Sequence, residues 1–545
     1  MNGSAFISGS TVSAEGDYTL VVTDAAGNVT TVSFTIDKTP PRVTGVTSGA
    51  PVYTTPVTIS FNKGTATLNG VPFASGTTVS ASGTYSLVVT DAAGNSTSIS
   101  FTLRSASSGD GGGNSAGGSG GESSGSGEGN KMAINMIDIQ INNVVYKNFA
   151  IVSVKTVNGK KVTTVQLDET KIIKELSSLH DSPIIVIPVQ NGSDRVVVLL
   201  NSQLAKALDD KNMTVEVQTD NASYTLTANQ FDMDAIAKSL GSNTPLKFNI
   251  EIANVPDHKV DSIRNKLGKI SLVSPAIEFK ITASSGGKTI EINKFLHFVQ
   301  RRIAIPDGFD PIKITTGVVV TEDGNIVPVP TRLVQENGKY YAVMYSLTNS
   351  VYTVIGNEKT FSDIQKHWAK THIEKLASKL IVQGISETSF KPDNQITRAE
   401  FTAILVRSLG LHAVGSSADY ADVQKSNWFY KAVTIAANNG LTAEGNSNRF
   451  NPNEQMSRQE AMVMIAKAMH LAGMDVAISD KEVTELLGAF KDLERLDFSA
   501  KPAAALNVKY GVIVGYNGLI SPGNVITRAE TSIIIQRFLE AAKLN

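Results

Sequence analysis

The 545-residue chain contains no cysteine, which excludes disulfides, zinc sites with thiolate ligands and thiol catalysis. It also lacks a charge surplus. With 49 Lys and Arg against 50 Asp and Glu, the formal net charge is −1, so no long-range field draws nucleic acid or anionic lipid toward it. No apolar run approaches the ~18–20 residues of a membrane span, and the first residues carry neither the basic nor the apolar segment of a signal peptide. Nucleic-acid binding and membrane insertion are therefore not expected. Nucleophile-elbow, HExxH, phosphate-loop and Rossmann patterns are missing too. His180, His258 and His297 are scattered among carboxylates with no identifiable acid–base pair, so no catalysis, cofactor or metal is expected of these residues. A chain of this length has room for several domains.

What is present is repetition. "SAEGDYTLVVTDAAGNVTTVSFTI" at 13–36 matches "SASGTYSLVVTDAAGNSTSISFTL" at 80–103, a period of 67 residues. Each copy alternates apolar and polar residues at the strand period of two, and "DAAGN" supplies a hairpin turn in which Gly27 and Gly94 provide the positive φ. Asp24, Asn28, Asp91 and Asn95 are potential calcium ligands, but turn chemistry accounts for them. Residues 38–67 have no counterpart upstream, so the first copy is expected to be a truncated module. The copies resemble bacterial immunoglobulin-like repeats of surface proteins, which serve as spacers or adhesive modules. Residues 105–131 are a Gly/Ser linker with almost nothing to bury, expected to behave as a flexible coil.

From 132 to 357, strand-like runs such as "SPIIVIPV" and "MTVEVQT" alternate with helical patterns such as "NSQLAKALDD" that open with capping residues. We read a mixed α+β domain that closes on the hairpin "GKYYAVMYSLTNSVYTVI". It resembles modules found just upstream of cell-wall anchors in Gram-positive surface enzymes.

A second repeat fills the rest. "ITRAE" stands at 396–400 and 526–530, with "MSRQE" at 456–460. Each satisfies the S/T-x-x-E capping box, in which hydroxyl and carboxylate reciprocally satisfy orphan backbone N–H groups. Apolar residues follow at helical spacing, among them Phe401, Ile404 and Leu405, then Ile465 and Met469, then Ile535 and Phe538. The arginine has no such local reason. Arg398, Arg458 and Arg528 occupy the first helical position, where the macrodipole disfavours a cation by about 0.3–1 kcal/mol. Two readings are open, an internal pairing with a neighbouring carboxylate or a receptor for a ligand carboxylate built from the arginine and the helix terminus. The second is the expectation carried forward.

The repeat extends upstream. Pro392, Pro452 and Pro522 lie six residues before each arginine, Gly384, Gly445 and Gly515 before those, and Trp368, Trp428 and Phe498 precede an earlier helix. Asp363, Asp422 and Asp492 open the units, 35, 36 and 36 residues before their arginines. The aspartates are read as possible helix caps, and the tryptophans as either core residues or sugar-stacking faces. This constellation resembles the S-layer homology domain in three copies. The resemblance implies an all-α pseudo-threefold spindle with grooves between its prongs, and non-covalent attachment to pyruvylated secondary cell-wall polysaccharide of a Gram-positive bacterium. Carried over by position, the implied polysaccharide-binding residues are Trp368, Gly384 and Arg398, then Trp428, Gly445 and Arg458, then Phe498, Gly515 and Arg528. Phe498 replaces an indole and loses its N–H donor, and "SRQE" departs from "TRAE".

The expected fold class is therefore multidomain. It comprises β-sandwich immunoglobulin-like repeats at 1–37 and 38–104, the linker at 105–131, the α+β module at 132–357, and S-layer homology repeats at about 358–413, 417–475 and 487–545. The expected function is anchoring and display at the extracellular cell wall or S-layer. The alternative is the C-terminal part of a larger secreted polysaccharide-degrading enzyme.

Overall fold

A computed structural model describes residues 1–6, 12–23, 29–47, 52–68, 71–81, 83–103, 135–179, 182–241, 246–321, 323–412, 420–442 and 448–545. The chain is multidomain and largely β, with its longest helices near the C-terminus. It divides into two compact units, Met1–Gly129 and Asn130–Asn545. The linker expected at 105–131, the turn residues Asp24, Gly27 and Asn28, and His180 lie outside the described residues.

In the first unit, the two repeat hairpins form as the period-two pattern predicts. Gly16–Thr23 pairs antiparallel with Val29–Ile36, and Gly83–Thr90 with Ser96–Leu103. The second copy adds strands on both sides of a core containing Ile59, Leu87, Val89 and Phe101. Its turn is held by Asp91, whose Oδ1 accepts from the backbone N–H groups of Ala93 and Asn95 at 3.1 and 2.9 Å. Lys63 Nζ stands 2.5 Å from Asp37 and 3.0 Å from Asp91. An ammonium thus already pairs with Asp91, the described carboxylate among those weighed above as calcium ligands, in keeping with turn chemistry.

In the second unit, residues 135–356 build a mixed sheet system. Lys160–Leu167 runs parallel to Arg195–Leu200, and Ile184–Val189 parallel to Thr214–Thr219, while the other pairings are antiparallel. Asp168, Asn201 and Asp232 cap their helices by accepting from the N–H three residues on, as capping chemistry requires. The expected closing hairpin is corrected. Lys339–Thr348 pairs with Lys294–Ala304 and Thr331–Glu336, whereas Val351–Gly356 pairs with Thr316–Val320 and residues 271–278. Each strand buries its apolar residues by joining different partners, so local sequence proximity does not decide the pairing. Arg301 is fully buried, boxed by Tyr224, Phe279, Phe295 and Tyr352, and donates to the Thr348 carbonyl at 2.6 Å.

The β-rich part and the helical C-terminus share packing. Leu347 lies in the helical core, Thr348 Oγ1 meets His412 Nε2 at 3.2 Å, and Lys379 donates to the Thr331 carbonyl at 3.1 Å. Within the C-terminal part, each sequence unit contributes a leading helix and an inner helix. The leading helices are Lys370–Ser378, Tyr430–Asn438 and Lys501–Lys509, and the inner ones Arg398–Ser408, Arg458–Leu471 and Arg528–Ala541. Phe401, Ile465, Ile535 and Phe538 are completely buried. A further helix, Asp480–Leu487, opens on its own capping box of Ser479 and Glu482.

Candidate functional site

The segments that lead into the three inner helices meet in a closed cycle. Ile396 N–H donates to the Ile526 carbonyl at 3.1 Å, Ile526 to Met456 at 3.0 Å, and Met456 back to Ile396 at 2.9 Å. All three residues are buried, so the ring replaces hydrogen bonds that water cannot supply there. Just beyond it, every capping box is formed, with Thr397, Ser457 and Thr527 each reciprocally bonded to the glutamate three residues on.

The next two N–H groups of each helix are also occupied. Arg398 N–H donates to the Glu454 carbonyl, Arg458 to Asn524 and Arg528 to Asn394, at 2.8–2.9 Å. Ala399, Gln459 and Ala529 donate in turn to the carbonyls of Pro452, Pro522 and Pro392 at 2.9–3.0 Å. The proline spacing is thereby explained: its carbonyl receives the helix of the preceding unit in the cycle. This corrects the helix-terminus receptor expected above, because the terminal donors already have protein partners.

The guanidinium groups follow the same cycle. Nε of Arg398, Arg458 and Arg528 donates to the carbonyl of Phe450, Ile520 and Phe390 at 3.0, 2.9 and 2.9 Å. Beyond that they diverge. Arg398 pairs with Glu460 through NH1, and Arg528 lies 3.6 Å from Glu400 and donates to the Gln383 carbonyl at 2.6 Å. Arg458 donates NH2 to the Val514 carbonyl at 3.0 Å and forms no ion pair among the described residues. The arginines are thus first of all staples between units, and for Arg398 and Arg528 internal pairing with a carboxylate, the first of the two readings, is realised. Burial lowers the pKa of Arg458 and Arg528, with Glu530 and Glu400 respectively acting in opposition.

The aspartates are clasps of the loop before each inner helix. Asp363 accepts from Phe390 and Lys391 N–H, Asp422 from Phe450 and Asn451, and Asp492 from Ile520 and Ser521, all at 2.7–3.1 Å. The second donor in each case, Lys391, Asn451 or Ser521, has φ of +55 to +58°, a left-handed conformation that costs about 1–3 kcal/mol and persists only where its surroundings hold it. The capping role expected for these aspartates is replaced by this one. Burial pushes the Asp363 carboxyl upward, but the donors of Phe390, Lys391 and Ser389 outweigh it and bring the pKa to about 2.

Gly384 and Gly515 have a packing reason as well. A Cβ on Gly384 would stand 2.5 Å from the Phe361 ring, and one on Gly515 2.2 Å from the Phe490 ring. Gly445 lies outside the described residues. The aromatic positions behave differently. Trp368, Trp428 and Phe498 are 64%, 66% and 86% exposed, which excludes the core role weighed for the tryptophans. A large apolar face left in water three times at one position has no folding benefit.

The arginine of one sequence unit does not meet the loop of the same unit. The loop bearing Gly384 receives Arg528, that of the second unit receives Arg398, and the loop bearing Gly515 receives Arg458. Each seam therefore combines an arginine from one unit with the loop of the next. Sequence reasoning missed Ile385 and Tyr516, 58% and 80% exposed beside their glycines. The "YNGL" string at 516–519 held the signal, since Asn-Gly is a two-residue hairpin turn.

Among the described residues no helix is long and apolar enough to cross a membrane, and no group of three or more metal-ligating side chains is found. The S-layer homology domain family matches residues 360–402 and 419–462. The chain is 28% identical over 404 residues to the amylopullulanase of Thermoanaerobacterium thermosulfurigenes, which covers 71% of this chain and 20% of that protein. It is 33% identical over 195 residues to exoglucanase XynX of Acetivibrio thermocellus, 36% of this chain and 17% of that protein. The surface-layer 125 kDa protein of Lysinibacillus sphaericus is 27% identical over 201 residues, 36% of this chain and 16% of that protein. The chain thus spans a fifth or less of the length of these relatives. Family and relatives together point to an extracellular cell-wall or S-layer location in a Gram-positive bacterium, and the C-terminal region carries two S-layer homology domains, at 360–402 and 419–462.

Proposed function

We propose that this chain holds an extracellular protein on the wall non-covalently, by binding secondary cell-wall polysaccharide in the seams between its C-terminal units. On this reading 487–545 is a third S-layer homology unit, completing a pseudo-threefold helical spindle. The observation that carries it is the exposure of Trp368, Trp428 and Phe498 at one position of three cyclically joined units. An aromatic ring in water offers a stacking face to the apolar side of a sugar, and a guanidinium at the seam offers N–H donors to a pyruvate ketal carboxylate. The repeats at 1–37 and 38–104 act as immunoglobulin-like spacers and 132–357 as a further spacer module.

The protein should pellet with sacculi that retain their polysaccharide and stay in solution with sacculi stripped of it by acid. Equal behaviour with both preparations contradicts the proposal.

A second reading has its own support. The similarity to the amylopullulanase covers 71% of this chain, more than the regions before 132 and after 357 together, so at least part of the α+β module is similar to a protein named as an enzyme. On that reading the chain is the anchoring part of a larger secreted polysaccharide-degrading enzyme, with catalysis outside these residues. The coding sequence upstream of Met1 distinguishes the two.

A further inference from the structure

The three seams are not equivalent, and the departures from the repeat that sequence comparison treats as separate defects converge on one of them. Resting on the anchoring proposal, we infer that the seam between the second and third units is the principal receptor for a carboxylate-bearing sugar, with Arg458 gripping the carboxylate and Phe498 and Tyr516 flanking the ring.

The first departure is Gln459, which stands where the other units have Ala399 and Ala529. Its Nε2 donates to Asp497 Oδ2 at 2.8 Å and its Oε1 accepts from Asp497 N–H at 3.2 Å. That reciprocal pair fixes the backbone immediately before Phe498, on the helix end that carries Arg458. The second departure is Phe498 itself. It is 86% exposed against 64% and 66% for the tryptophans, and Lys501 Nζ lies 5.7 Å from its ring centroid, adding positive charge at the same rim. The third is Ile520. In the other seams the guanidinium is covered by a ring, Arg398 by Phe450 at 5.4 Å and Arg528 by Phe390 at 4.5 Å. Arg458 has Ile520 there and no aromatic cover among the described residues.

The fourth departure is the loop. Tyr516 and Leu519 exchange backbone hydrogen bonds at 3.0 Å across Asn517 and Gly518, both with positive φ (53° and 76°). This is the two-residue turn that suits a twisted hairpin. It holds Tyr516 two residues from the Val514 carbonyl that Arg458 grips.

Charge decides among the seams. Glu460 neutralises Arg398, and Glu400 stands 3.6 Å from Arg528. Arg458 forms no ion pair among the described residues, and its two hydrogen bonds go to neutral carbonyls. Of its five N–H groups, three have no partner among the described residues. A carboxylate entering the other seams must compete with a glutamate already at the guanidinium, whereas here Glu530 acts on Arg458 only from beyond ion-pair distance, and a partly desolvated cation with open donors is where a charge-assisted bond is strongest. The preferred occupant is accordingly an acidic sugar in place of a neutral one.

The two tryptophans of the chain, Trp368 and Trp428, make the seams separately readable. Three full-length variants each carry one indole: W428F, W368F, and F498W in a W368F/W428F background. The probe is wall polysaccharide released from sacculi, intact or with its pyruvate removed. The 498 reporter should respond at about tenfold lower polysaccharide than either of the others, and lose that advantage with the depyruvylated form. Adding Arg458→Gln should weaken the 498 response at least tenfold and leave the Trp368 response unmoved. Tyr516→Ala, at an exposed hairpin tip, should weaken it about threefold to tenfold with an unchanged circular dichroism spectrum. A silent 498 reporter, or one indifferent to Arg458→Gln and Tyr516→Ala, while Trp368 or Trp428 responds, overturns the assignment of this seam and leaves anchoring intact. Silence of all three reporters, with no pelleting on sacculi, refutes anchoring itself and this assignment with it.

Discussion

Replacing Arg398 with glutamine tests whether the repeated arginine is a staple. In the folded protein its Nε bonds the Phe450 carbonyl at 3.0 Å and its NH1 pairs with Glu460. The arginine side chain is 13% exposed and the glutamate 32%. Losing a hydrogen bond from a charged donor costs about 1.5–3 kcal/mol, and stranding a fully buried carboxylate raises the loss to about 3–5 kcal/mol. Glu460 is not fully buried and keeps its bonds from Ser457 N–H and Oγ at 2.9 and 2.7 Å, which places the expected loss near the overlap, about 3 kcal/mol. For a region of this size that is about 6–12 °C in Tm. Both tryptophans lie in the C-terminal units, so their emission follows this part of the molecule in a thermal scan. Arg458→Gln removes two bonds to carbonyls and strands no carboxylate, so it should cost about half as much. A loss below about 1 kcal/mol for Arg398→Gln, or a larger one for Arg458→Gln, refutes the reasoning.

Four further outcomes follow from the same geometry. Asp363 has a folded-state pKa of about 2, below its ordinary value near 4, so its contribution is present above pH 4 and is lost as pH falls through about 2. Because the group is solvent-exposed the contribution is about 1 kcal/mol after screening, and Asp363→Asn should shorten the acid limb of a tryptophan-emission titration between pH 4 and 2. Gly384→Ala drives a Cβ to 2.5 Å from the Phe361 ring and should cost about 1–3 kcal/mol, seen as a lowered melting temperature; Gly515→Ala, with a 2.2 Å approach to Phe490, should cost no less. Trp368→Ala removes a side chain that is 64% exposed and should change stability by less than about 0.5 kcal/mol, while reducing retention on sacculi. Depyruvylated sacculi should retain the unaltered protein less well than native ones in the same pelleting assay.

Much of the C-terminal fold was legible because its signals are local. The capping boxes at Thr397, Ser457 and Thr527 and the helical spacing of Phe401, Ile465 and Phe538 report directly on helices that form. The turn at Asp91 was legible for the same reason. What the sequence did not disclose is non-local. The cycle that hands Arg398 to the second unit and Arg528 to the first depends on backbone carbonyls, which carry no residue signature. The aspartate clasps were misjudged because an aspartate before a helix reads as a cap, whereas the strained residues it holds lie 28 or 29 positions later. The strand pair at 339–356 was misread because a short connection suggests a hairpin, while burial of Tyr352 and Met344 in one core sends the two strands to different partners. Exposure of the tryptophans was likewise undetermined, since an aromatic just before a helix serves core and surface equally well.

The account stands on the three exposed aromatic faces being the attachment surface. The direct measurement is retention of the full chain on polysaccharide-bearing sacculi with Trp368, Trp428 and Phe498 all replaced by alanine. The expected result is loss of pelleting with an unaltered circular dichroism spectrum and melting temperature; pelleting equal to that of the unaltered protein contradicts it.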